Sequence, residues 1–77
     1  MDIIGIVVRV KEGFQTAVLK TFQGMPHVHL YGVKDDRIVL TLDTDDIHMV
    51  TKYIKEIQGI VGVIEIYPVF SRDSFPF

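Results

Sequence analysis

The chain has 77 residues, 48% of them hydrophobic and 23% charged, which suits one small globular domain with a single modest core and excludes a disordered chain. It has no cysteine, which excludes disulfides, thiolate metal sites and cysteine nucleophiles together and favours a cytoplasmic location for so small a domain. A net charge of −2 with scattered signs argues against phosphate neutralisation, so no nucleic-acid partner is expected.

"MDIIGIVVRVKEG" opens with an acid where a secretory signal carries bases, and no apolar run approaches the ~20 residues that span a bilayer. We therefore expect neither a removed leader nor membrane insertion. Within this stretch "IIGIVVRV", Ile3 to Val10, is β-branched and predicts a central strand. Alternation turns Ile4, Ile6, Val8 and Val10 to the core and Ile3, Val7 and Arg9 away from it.

At Gly13 the period changes. Phe14, Val18 and Phe22 recur every four residues, with Ala17 between them, predicting a helix over residues 13–23. Gly24, in a left-handed conformation, and Pro26 would stop it. "HVHLYGV" alternates again, with Val28 and Leu30 inward and His27, His29 and Tyr31 outward; Asp35 and Asp36 form a tight turn. "RIVLTLD" returns with Ile38, Leu40 and Leu42 inward, leaving Arg37, Val39 and Thr41 outward.

Asp43, Thr44 or Asp45 is expected to cap a second helix, whose buried stripe is Ile47, Val50, Ile54 and Ile57 and whose end is Gly59. The last strand runs from Gly62 to Phe70, with Ile64 and Ile66 inward and Val63, Glu65 and Tyr67 outward. Pro68 lacks an amide donor and puts this strand at a sheet edge. Residues 71–77, "SRDSFPF", read as a frayed tail.

Strand, helix, strand, strand, helix, strand is a pair of similar halves. Right-handed crossovers interleave them into one α+β domain, the ferredoxin-like βαββαβ arrangement: a four-stranded antiparallel sheet in order 4-1-3-2, with both helices on one face. The single domain spans residues 1–77, with its core over about 3–70. The other face and both edges are left for a partner.

Enzymatic chemistry finds little support. His27 and His29 share a strand face, but a stable metal site needs a third or fourth ligand, and no metal is expected; two solvated imidazoles on an edge strand are the plainer reading. Acylphosphatases of this fold use an arginine loop and an asparagine, whereas the chain has no asparagine and its "KEGFQ" loop has no arginine. No Ser-His-acid spacing and no glycine-rich phosphate loop occurs. Aromatics for stacking RNA are absent from "IIGIVVRV" and "RIVLTL", and the Cys-x-x-Cys of copper chaperones is missing. A binding module with no cofactor is what remains. Its outward residues Ile3, Val7, Arg9, His29, Tyr31, Val39, Thr41 and Tyr67 form an apolar platform with polar and aromatic borders, which a second copy of the chain would also cover.

Several stretches carry a family resemblance: "GIVVRVK" at the start, "FQGMP" ending the first helix, "DRIVLTLDTDD" leading into the second, and "YIKEIQGIVGVIEIYPVF". From about Ile3 to Phe70 the chain resembles the NapD-type chaperones of periplasmic nitrate reductase. It departs from them at Pro26-His27, where the family often has Pro-Gly, and at Phe70-Ser71, where it has tyrosine-histidine. The resemblance implies a cytoplasmic, ferredoxin-like protein that is not an enzyme. It implies a partner too, the twin-arginine signal peptide of the reductase's catalytic subunit, whose export is restrained until the molybdenum cofactor is in place.

Such a peptide pairs a basic region with an apolar one, and so needs an apolar surface near acids. His29 and Tyr31 would serve at the edge, and Ile3, Val7, Val39 and Thr41 on the face; Glu65, Asp35 and Asp36 would be the acids. The peptide either adds as a strand to an edge or lies as a helix on the face. A free-standing small-ligand module, resembling ACT domains or Lrp-type effector domains that bind an amino acid at a dimer interface, is the alternative.

Overall fold

The computed structural model describes residues 5–44 and 46–70. Expectations for Ile3, Ile4, Asp45 and the tail fall outside these residues. The elements are β1 (Gly5–Val10), α1 (Gln15–Gln23), β2 (Val28–Lys34), β3 (Arg37–Leu42), α2 (Ile47–Gln58) and β4 (Val63–Val69). All strand pairs are antiparallel, in the order β2-β3-β1-β4. This is the ferredoxin-like arrangement, with β2 and β4 at the edges.

The core follows from alternation on the two central strands. Ile6, Val8 and Val10 of β1 and Ile38 and Leu40 of β3 pack with Val18 and Phe22 of α1 and Tyr53 and Ile57 of α2. Both helices thus bury their stripes on one side of the sheet. The stripes differ in detail from the expected ones. Ala17 is exposed while Leu19 packs on the core, and in α2 Tyr53 is buried while Ile47 is exposed. Ile47 is the first residue of α2.

The helix ends also depart from expectation. Gly24 has φ −86°, because α1 closes with bonds three residues back, Gly24 N to Thr21 O and Met25 N to Phe22 O. The left-handed residue comes later, at His27 with φ 65°. The cap of α2 is Asp46, whose side chain accepts the His48 amide at 2.9 Å. Asp43 is engaged elsewhere, and Thr44 Oγ1 accepts the Asp46 amide at 3.2 Å.

Both edge strands carry a bulge. On β2 Leu30 faces Leu40 while Gly32 faces Val39, which makes Tyr31 the extra residue. On β4 Glu65 faces Arg9 while Val63 faces Val10, which makes Ile64 the extra residue. Each bulge reverses the phase of alternation. Val63 therefore packs on the core and Ile64 is exposed, the reverse of the sequence expectation, while Ile66 stays inward. Tyr31 likewise sits at a break in the ladder rather than in phase with His29.

Candidate functional site

The registers arrange the helix-free face in three rows of four positions. His29, Thr41, Gly5 and Val69 make one end, Gly32, Val39, Val7 and Tyr67 the middle, and Lys34, Arg37, Arg9 and Glu65 the other end. The face thus has an imidazole end, an apolar centre and a charged end. Of the nine residues expected to contact a peptide, seven fall in these rows: Val7, Arg9, His29, Val39, Thr41, Glu65 and Tyr67. Tyr31 is the bulge residue beside them, and Ile3 lies outside the described residues.

Exposure separates them sharply. His29 and Tyr67 are exposed and Thr41 is half-buried, but Val7 and Val39 are 2% and 0% exposed and form a cluster of their own with Val69. The centre of the platform is therefore buried, although both helices pack on the opposite face.

At the charged end Arg9 holds both neighbouring acids. Its Nε donates to Asp36 Oδ2 at 3.0 Å and its Nη1 to Glu65 Oε1 at 2.6 Å. The hairpin brings Asp36 there, since Asp35 takes the positive φ of 55° that a tight turn needs and the Val10 amide bonds to the Asp36 carbonyl at 2.8 Å. The guanidinium holds the Asp36 carboxyl below its ordinary range, and the two acids in turn raise Arg9. The Gln15 amide donates to the Asp35 carbonyl. Lys34 and Arg37 complete a row richer in bases than in acids.

Asp43 organises the imidazole end. His29 Nε2 donates to its Oδ2 at 2.8 Å and His27 Nδ1 to its Oδ1 at 2.5 Å, while the Asp43 amide bonds to the His27 carbonyl at 3.0 Å. Bonding to His29, then to His27, keeps the Asp43 carboxyl below its ordinary value. The histidines are therefore bound to a carboxylate instead of facing water alone. Asp43 escaped the site prediction because its pairing depends on the β2 bulge. Among the described residues, no group of three or more His, Cys, Asp or Glu is placed to hold a metal ion.

A second concavity lies on the other side of β2. Leu19, Phe22 and Gln23 of α1 and Val28, His29 and Leu30 line a groove of about 290 Å³ along the sheet edge. No helix among the described residues is long and apolar enough to cross a membrane.

The described residues form a small ferredoxin-like sheet with one helix-free face, on which Arg9 pairs with Asp36 and Glu65 and Asp43 pairs with His27 and His29. The family model described as "NapD protein" matches residues 1–74, and the chain belongs to this family. It is a chaperone-type family, not an enzyme family, involved in nitrate reductase maturation. No curated protein and no solved structure matches the chain.

Proposed function

We propose that this protein binds the twin-arginine signal peptide of the catalytic subunit of periplasmic nitrate reductase in the cytoplasm, and restrains its export until the cofactor is loaded. Family membership carries the reading. The surface we assign to the peptide is the helix-free face, with Arg9, Thr41, Glu65 and Tyr67 as the groups it would touch, the buried Val7 and Val39 beneath them, and His29 and Tyr31 at its border; Ile3 would extend it.

Two features favour the face over an edge. Both edge strands are interrupted by bulges, and β4 also carries Pro68, so neither offers an unbroken ladder to an added strand. The face, in contrast, sets an apolar centre beside two carboxylates. Asp36 and Glu65 already hold one guanidinium, that of Arg9, and this ion cluster is half-exposed. An arginine of the peptide would exchange with Arg9 in a geometry the acids already adopt, with little net cost in so solvated a place.

The test is calorimetric titration with the signal peptide of a nitrate reductase from the same genome, beside a panel of amino acids. Saturable binding of the peptide is expected. Saturable binding of an amino acid without the peptide would replace this reading with the small-ligand module.

A further inference from the structure

Arg9 is the charged residue of β1, and two acids from different elements meet on it. Asp36 comes from the turn between β2 and β3, and Glu65 from the facing position on β4. The guanidinium serves them through different nitrogens, Nε at 3.0 Å to Asp36 and Nη1 at 2.6 Å to Glu65. The same row sets Arg37 directly across from Arg9 on β3, with Lys34 beyond it on β2. Like charges opposed across strands repel, which drives Arg9 away from Arg37 and onto the acids. In the free protein the two carboxylates are therefore occupied.

We infer that Arg9 is an internal competitor of the client peptide: it occupies the carboxylates of Asp36 and Glu65 that an arginine of the peptide takes, which weakens client binding and restricts the exchange to guanidinium groups. The inference rests on the proposed function for the identity of the client, whereas the occupied carboxylates stand without it. The exchange has a cost that the ion pairs alone do not show. A peptide arginine that captures both acids leaves Arg9 unpaired, between Arg37 and the newcomer's own charge. Selectivity follows from shape. A planar guanidinium offers donors on separate nitrogens and bridges both acids, whereas an ammonium is a point charge with its donors on one atom. A peptide lysine can take one acid and leave Arg9 on the other, so it gains less from the site.

A competitor of this kind lowers apparent affinity by the fraction of molecules in which the acids are open; an open fraction of about one fifth weakens binding about fivefold. Half-exposed ion pairs hold weakly, so the client is still able to displace Arg9. Salt reports the same exchange. Replacing one guanidinium by another conserves ion pairs, so binding at this end responds little to salt while Arg9 is present. Without Arg9 the peptide adds new ion pairs, and its binding becomes salt-sensitive.

The experiment compares the full chain with Arg9→Gln, with Arg9→Lys, and with the triple variant Arg9→Gln, Asp36→Asn, Glu65→Gln. Calorimetry at low and high salt reads binding of the signal peptide and of the same peptide with its arginine pair changed to lysines. Carboxyl-carbon NMR of Asp36 and Glu65 reads entry of N-acetylarginine amide, a probe independent of the client. With circular dichroism unchanged, Arg9→Gln is expected to bind the signal peptide about fivefold more tightly at low salt, a gain that shrinks at high salt. Arg9→Lys should show a smaller gain, the lysine peptide less gain still, and the triple variant none. Binding by Arg9→Gln and Arg9→Lys that is equal to or weaker than the parent's would overturn the inference, leaving Arg9 as a structural staple between β1, the hairpin and β4. A gain that persists in the triple variant would overturn it as well, and an equal gain for the lysine peptide would overturn the selectivity. If no form binds the signal peptide but Arg9→Gln opens the carboxylates to N-acetylarginine amide, the competition stands and the proposed function falls. If neither ligand binds any form, both fall.

Discussion

Gly62 is under two constraints at once. Its φ is 101°, and a Cβ there would lie 2.5 Å from the Cβ of Phe14, which packs on the core just before α1. Gly62→Ala is expected to cost about 1–3 kcal/mol, lowering the melting temperature by roughly 4–8 °C for each kcal/mol; thermal denaturation checks it. Asp43 makes a different prediction because its carboxyl is depressed in the folded state. Its contribution is fully present above the unfolded-state value and is lost as pH falls through the lower folded one. Asp43→Asn should therefore be less stable than the parent near neutrality, and the gap should narrow in strong acid. Urea midpoints at the two pH values measure this, and a constant gap would contradict it. The pairing itself was hidden in the sequence. A two-residue turn and an unbroken ladder would set His27 against Thr44; the extra residue Tyr31 shifts the register and brings Asp43 there instead.

At the scale of elements, periodicity was most legible where the sheet is regular. The uninterrupted alternation of β1 and β3 shows directly which side chains face the helices, because two central strands leave no room for a slip. The edges were harder to read. Val28, Leu30 and Val33, like Val63 and Ile66, include an odd spacing that a strict period of two cannot absorb, and that spacing was the available sign of a bulge. The start of α2 was similarly ambiguous, as any of several consecutive oxygen-bearing side chains can cap a helix. Asp46 has an extended backbone and its side chain accepts the His48 amide. Asp46→Ala is expected to remove about 1 kcal/mol of stability, visible as a lower urea midpoint, whereas Thr44→Ala should have a smaller effect.

For the whole molecule, the order of elements, the sheet order and the helix-free face all follow from the pattern of apolar residues. That pattern says which face a residue takes but not what lies over it. Val7 and Val39 were correctly turned away from the helices and yet are buried. A substitution such as Val39→Asp would consequently place a charge in a dry site and unfold the protein rather than probe binding. Tyr67, on the same row and exposed, is the better probe. Tyr67→Ala should weaken peptide binding by roughly tenfold, about 1.4 kcal/mol, with an unchanged fold by circular dichroism.

The central claim is that the helix-free face receives the client peptide. Amide chemical-shift mapping of the full chain during titration with the nitrate reductase signal peptide tests it most directly. Binding on this face predicts saturable shifts along all three rows, at Thr41, Val39, Val7, Tyr67, Arg9 and Glu65. Shifts confined instead to Leu19, Phe22, Val28 and Leu30, along the groove between α1 and the β2 edge, would contradict it.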